Sequence, residues 1–375
     1  MPDFLEDKSE KKVRYIELIY DLMFVYLVSR NADLLEIHRG FLTLERYGLY
    51  LVSTLVILQI WYASTLFINR CGAGSLSEYA GLFVNMFLLY IMGQGIRMNW
   101  SVSFYPYTGA WALILLNLAL QYFLSLRKRS ADAWERRHDR DHGLMLLAEA
   151  AVVLLTMPVY ALTGVALTPV ALLFGFSAGL ITRRSDALVP VDFPHLAERV
   201  MLYVVFTFGE MLLGIAGYFG NGFGARALYF ALMAFLIVAG LFSGYGWFYE
   251  KLLDSARPTA GHGYMLLHIV MVLALNNITA ALEFMRMEAV PDLPKTVFLV
   301  GSILVYYGTL LLTQRFSERH LATGRAYAWI ATGFAAFCGL MALLYRRPMA
   351  SIAVTVIFIF AQLAAIRWGG QKREK

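Results

Sequence analysis

Apolar residues in this chain come in long runs, and the polar residues collect in short breaks between them. The runs fall near residues 14–33, 45–69, 76–97, 106–126, 143–163, 165–182, 195–217, 226–250, 261–284, 295–314, 326–345 and 349–367. About 20 consecutive apolar residues suffice to cross a bilayer as a helix. The pattern therefore predicts an all-α, polytopic transmembrane helix bundle of about 12 spans. One run departs from it: Ile16 to Arg30 carries Glu17 and Asp21 where hydrocarbon is expected. Four residues apart, the two carboxylates share a helical face. A carboxylate facing lipid costs about 2–4 kcal/mol, so this face is expected to meet protein or a water-filled cavity.

Composition agrees with a membrane chain: 59% of residues are hydrophobic, 15% are charged, and the mean hydropathy is +0.60. A soluble domain carries roughly 25% charge. The net charge of +6 does not point to nucleic acid, because the basic residues lie mostly at span ends. An even number of spans puts both termini on one side. Cytoplasmic termini leave most of the 32 Lys and Arg inside, so cytoplasmic N- and C-termini are expected. Acids near the start argue against a cleaved signal peptide. Cys71 and Cys338 suggest no disulfide or zinc framework.

The chain also reads as two copies. An offset of 181 residues sets Glu17 opposite Glu198, Asn69-Arg70 opposite Glu250-Lys251 and Ser29 opposite Glu210. With a shift of about two residues, Gln94 falls opposite Asn277. The expected organisation is a cytoplasmic tail 1–13, a six-helix repeat 14–182 with a basic cytoplasmic loop 127–142, a linker 183–194, a second repeat 195–367 and a basic tail 368–375. Six spans per half make the repeats parallel, related by an axis along the membrane normal. Asp21 falls opposite Leu202, so the halves differ at that face.

Polar residues inside the runs are the candidate chemistry. Glu17, Asp21, Glu198 and Glu210 are candidates for an ion or proton path, and Glu149 adds an acid in the fifth span. Asp21 lies about 10 Å along its helix from Arg14 and Glu210 about 22 Å from His195, one shallow and one deep. The bland alternative pairs each acid with a nearby Arg or amide, such as Arg30 or Asn277. Trp61, Asn69, Arg70, Asn85, Gln94, Glu250, His268 and Asn277 are candidate lining of a polar cavity. Interhelical hydrogen bonding explains His268 and the asparagines equally well. In the basic loop, His138, Asp139, Asp141 and His142 could hold a metal if helical. The favoured reading is a solvated topogenic segment touching anionic lipid, with Trp134 at the interface. Gly175/Gly179, Gly240/Gly244 and Gly214/Gly217 read as close helix packing. No nucleotide, nucleophile or metal motif of specific spacing occurs, so no catalytic residue, cofactor or metal is expected.

Several of these residues carry a resemblance. Glu17-Leu18-Ile19-Tyr20-Asp21-Leu22-Met23-Phe24-Val25-Tyr26 resembles the opening motif of the bacterial low temperature requirement A (LtrA) family. Glu198 followed by Phe208-Gly209-Glu210 resembles its second signature. Trp61-Tyr62 with Asn69-Arg70, and Trp247-Phe248-Tyr249-Glu250, resemble its aromatic span ends. Cys71-Gly72 stands where the family commonly has an Asp shortly after Asn-Arg, and Glu250 where Asp is usual. The resemblance implies a multi-pass membrane protein and supplies no reaction. The leading functional expectation is a secondary transporter or channel-like permease for an unidentified ion or small molecule. The alternatives are a membrane-embedded enzyme acting on a lipid or isoprenoid, and a non-catalytic receptor or scaffold. The lipid bilayer is the one assured partner, nucleic acid is not expected, and an oligomer is left open.

Overall fold

The computed structural model describes residues 11–35, 43–96, 100–128, 132–182, 185–186, 189–220, 222–317 and 324–371. Most of the tail 1–13, the end of the tail 368–375, and Arg129, Arg183, Arg184 and Arg319 lie outside the described residues. Twelve α-helices and no strand occur among those described. They are α1 (Tyr15–Ala32), α2 (Leu44–Cys71), α3 (Leu76–Gln94), α4 (Trp100–Lys128), α5 (Ala133–Thr163) and α6 (Thr168–Ile181). After the 183–194 segment follow α7 (Phe193–Ala216), α8 (Ala225–Lys251), α9 (His262–Arg286), α10 (Asp292–Leu312), α11 (Gly324–Leu344) and α12 (Pro348–Gln371). Every apolar run coincides with one helix, and 10 of the helices are long and apolar enough to cross a membrane. The two others have visible reasons: α1 carries Glu17, Asp21 and Arg30 within 18 residues, and α6 is short.

Local signals set several boundaries. Ser75 caps α3 by accepting the Glu78 N–H, while the Glu78 carboxylate accepts from the Ala73 and Gly74 N–H groups at 2.9 and 2.8 Å. This is a capping box extended into the preceding turn. Gly164, at φ 71°, ends α5 in the left-handed conformation that a Cβ disfavours. The basic 127–142 segment is a correction: from Ala133 onward it is the first turns of α5 and not a loop. Arg136, Arg137 and Arg140 do remain exposed, but His138 and Asp139 are fully buried. A helix can turn one face to solvent and the other inward, a choice composition does not reveal.

The chain divides into two compact units. The first comprises Met1–Phe24, Val56–Leu202 and Ser255–His262, and the second Val25–Leu55, Tyr203–Asp254 and Gly263–Lys375. In the first, α4 packs against α3 and α5 and buries its own Tyr107 and Trp111, with Phe104 stacked on Tyr160 at 4.1 Å. In the second, α12 packs against α8 and α11, Phe337 stacks on Phe358 at 4.2 Å, and the Tyr306 hydroxyl donates to the Leu241 carbonyl. Large apolar side chains such as Phe87, Leu155 and Leu213 stay exposed, as lipid-facing surfaces require.

Candidate functional site

The first unit gathers most of the titratable chemistry. On α1, Glu17 and Asp21 face His195 and Arg199 on α7, so two acids at spacing four meet two bases at the same spacing. Arg199 grips Asp21 in a bidentate pair, Nε to Oδ2 at 2.9 Å and Nη2 to Oδ1 at 2.7 Å. The Trp61 indole N–H donates to the same carboxylate at 3.0 Å. Both charged partners are 0% exposed. Glu17 Oε1 accepts from Arg14 Nε at 2.7 Å, and its other oxygen lies 3.1 Å from His195 Nε2 and 3.7 Å from Arg199 Nη1. Arg14 also reaches Glu78, while the Lys11 ammonium donates to the Ile68 and Asn69 carbonyls at the C-terminus of α2, where a cation is favoured. Burial pushes the Lys11 amine below the ordinary lysine range.

Asn69 and Arg70 join this network to a second one. Asn69 donates to the Asp192 carbonyl at 2.9 Å and lies 3.0 Å from His195 Nδ1. Its neighbour Arg70 places Nη1 at 2.7 Å from Asp186 Oδ1 and donates through Nη2 to the Ala260 carbonyl. Around Asp186 stand three histidines: His138 Nε2 at 3.3 Å, His142 Nε2 at 3.2 Å and His262 Nε2 at 2.8 Å. Thr182 donates to Asp186 Oδ2 at 2.9 Å, and Ser185 to Asp141 at 2.8 Å, which fastens this short segment to α5. Burial alone would raise the Asp186 carboxyl. The three histidines facing it and the Arg70 charge outweigh this and hold the group well below the usual carboxylate range.

The cluster opens onto a cavity of about 50 Å³, enough for a few waters. Tyr62, His142, Thr182 and His262 line one part of it, and Gln59, Glu149 and Gly175 another. Glu149 is 3% exposed and stands seven residues beyond His142 on the same helix, two turns deeper. Gly175 of α6 makes room for these groups: a Cβ there would lie 1.6 Å from Gln59 Nε2 and 2.4 Å from Glu149 Oε1.

The other sequence candidates are distributed as follows. Asn85 is buried in a neutral hydrogen-bonded set, accepting from Asn117 at 2.7 Å and donating to the Tyr20 hydroxyl at 3.3 Å. Glu198 is half-buried beside Arg199 and shares none of the contacts described for its neighbour. Gln94 and Glu250 are exposed at the ends of α3 and α8, outside any interior lining, since long polar chains at helix ends reach water easily. In the second unit, Ser29 donates to Glu210, the residue that the 181 offset sets opposite it. Asn277 donates to the Tyr47 hydroxyl at 3.2 Å, and His268 donates through Nδ1 to the Tyr264 carbonyl at 2.8 Å. Arg30 pairs with Asp33 at the exposed end of α1, so the expected partner for Asp21 is replaced by Arg199.

Sequence reasoning missed His195, Arg199, Asp186 and His262 as site residues. A signal existed for the first two: bases four apart at the start of an apolar helix complement acids four apart on another. Asp186 and His262 lie outside the long runs and become neighbours only through the fold.

Among curated proteins, none matches this chain. The family model described as "Bacterial low temperature requirement A protein (LtrA)" matches residues 12–362, nearly the whole chain. That span takes in Glu17, Asp21, Asn69-Arg70, Asp186 and Arg199 together, and the chain belongs to the LtrA family of multi-pass membrane proteins.

Proposed function

We propose that this protein is a secondary transporter or channel-like permease of the bacterial plasma membrane, and that it moves protons or cations through the first unit. The supporting observation is a run of buried and half-buried polar groups, most of them ionisable. It runs from Glu149 across the cavity to His142 and His262, through Asp186 and Arg70 to Asn69, His195 and Glu17. Buried ionisable groups are costly in a bilayer and gather where charge must pass or be held. A purely architectural bundle could use apolar packing at equal or better stability. Within this reading Asp21 anchors Arg199 and Glu149 exchanges charge with the cavity water. Glu210, held by Ser29, serves the second unit.

The termini lie in the cytoplasm in this scheme, and the exposed Trp134, Arg136, Arg137 and Arg140 on the first turns of α5 meet anionic headgroups there. Proteoliposomes with an internal pH dye and an imposed proton gradient test the proposal. Parent protein should dissipate the gradient faster than empty vesicles. Glu149→Gln should lower that rate at least tenfold, with a smaller loss for Asp21→Asn and none for Glu210→Gln. Parent vesicles no leakier than empty ones, across a panel of added alkali and divalent cations, would overturn transport. An unchanged rate in Glu149→Gln would remove that residue from the path.

A further inference from the structure

We propose that His138, His142 and Asp186 form a binding site for a divalent transition-metal ion of the zinc class. The site stands independently of any transport role. His138 and His142 are one turn apart on α5, with rings stacked at 4.1 Å, and both present Nε2 to Asp186 Oδ1. The three ligand atoms lie within 4.8 Å of one another, and the residues are buried or half-buried.

Proton bookkeeping favours a cation at their centre. His142 Nδ1 lies 3.0 Å from the His138 carbonyl oxygen, which only accepts, so Nδ1 carries the hydrogen. In a neutral ring Nε2 is then a bare lone pair, and it faces a carboxylate oxygen at 3.2 Å. His138 repeats the arrangement, with Nδ1 3.1 Å from Asp139 Oδ1 and Nε2 toward Asp186. A ring nitrogen bound to a carbonyl or carboxylate while the other faces inward is the usual outer shell of a metal-ligating histidine. His138 Nε2 is buried and makes no hydrogen bond, and the buried Asp186 Oδ1 has the Arg70 guanidinium at 2.7 Å as its charged partner. Asp186 Oδ2, by contrast, takes Thr182 at 2.9 Å and His262 at 2.8 Å, and this fixes the carboxylate with Oδ1 turned to the pair. Ligand bonds of about 2.0–2.1 Å set neighbouring donors of a tetrahedron about 3.3 Å apart. The observed N···O separations are 3.3 and 3.2 Å.

Charge and donor type narrow the ion. Two imidazolium protons would satisfy the same lone pairs, and one divalent cation replaces both at equal net charge. Two nitrogens and one oxygen suit zinc or its first-row neighbours, whereas calcium and magnesium prefer all-oxygen sites. The cavity beside His142 admits a water as a fourth ligand. Arg70, 2.7 Å from Asp186 Oδ1, is a neighbouring positive charge that tempers affinity.

Chelator-stripped, tag-free protein in detergent, titrated with Co2+ and then Zn2+, tests the site. One equivalent of Co2+ should give the intense visible absorption of a tetrahedral complex, bleached by one equivalent of Zn2+. His142→Ala should abolish the band. Asp139→Asn, which removes only the outer-shell carboxylate, should weaken binding about 10- to 100-fold. Zn2+ should raise the melting temperature of the parent and leave that of His142→Ala unchanged, a reading that also reports whether the variant is folded. No saturable one-equivalent binding by the parent would overturn the proposal. So would unaltered affinity in both variants, and in that case protons satisfy the histidines.

Discussion

At the scale of single residues, the Asp21–Arg199 pair is defined by the company each member keeps. Asp21→Asn strands a guanidinium that is 0% exposed, with Glu17 as its nearest remaining counter-charge at 3.7 Å. Removing one member of a buried pair costs about 3–5 kcal/mol, while replacing both by apolar groups of similar volume is often neutral. Thermal melting in detergent should therefore show a large loss for Asp21→Asn and substantial recovery in the double variant Asp21→Leu with Arg199→Met. Simple additivity of the two single losses would show that the pair is not coupled. Asp186 makes a prediction in pH. Its carboxyl is held below the ordinary range in the folded protein, so its stabilisation is complete above the unfolded value of about 4 and disappears as pH falls through the native one. Stability owed to it should hold from pH 8 to 5 and be lost only in stronger acid. Asp186→Asn should melt lower at pH 7 and lack that acid step. The acids of α1 were legible because carboxylates in an apolar run are conspicuous. Their partner was not, because Arg199 at a span entrance looks the same as a charge that sets topology.

At the scale of elements, hydropathy located each of the twelve named α-helices because each must bury or expose hydrocarbon along its length. It misjudged the start of α5, where charge on one face hid a helix whose other face buries His138 and Asp139. The glycine spacings divide in the same way. Gly240 of α8 sits under α12, where a Cβ would lie 2.5 Å from Ile359 Cγ2, whereas Gly244 faces open space. The branched Ile359 is fully buried and has little freedom to turn aside. Gly240→Ala should then cost about 1–3 kcal/mol, the range for overpacking, and Gly244→Ala should be nearly silent. Melting temperatures of the two variants would decide it, and equal losses would refute the packing assignment. Spacing alone cannot separate such glycines, since both lie on one helix within one turn.

At the scale of the molecule, charge is distributed unevenly. Among the described residues the first unit holds the two buried ionic networks, while the second carries isolated ion pairs such as Arg286 with Glu283 and neutral hydrogen bonds such as Asn31 to the Tyr50 carbonyl and Asn277 to Tyr47. Helices α1 and α7 each give their first turns to one unit and their later turns to the other. The membrane class and the family were readable from hydropathy and motif. The gathering of His138, His142, Asp186 and His262 was not, because it draws on α5, a short segment after α6 and the start of α9.

Asn69 and Arg70 are consecutive on α2, so their side chains leave the helix about 100° apart and serve different networks through one stretch of backbone. Thermodynamics then constrains any signalling between them. Whatever factor an ion at Asp186 imposes on the equilibria around Glu17 and His195, a change at Glu17 and His195 must impose on the ion in return.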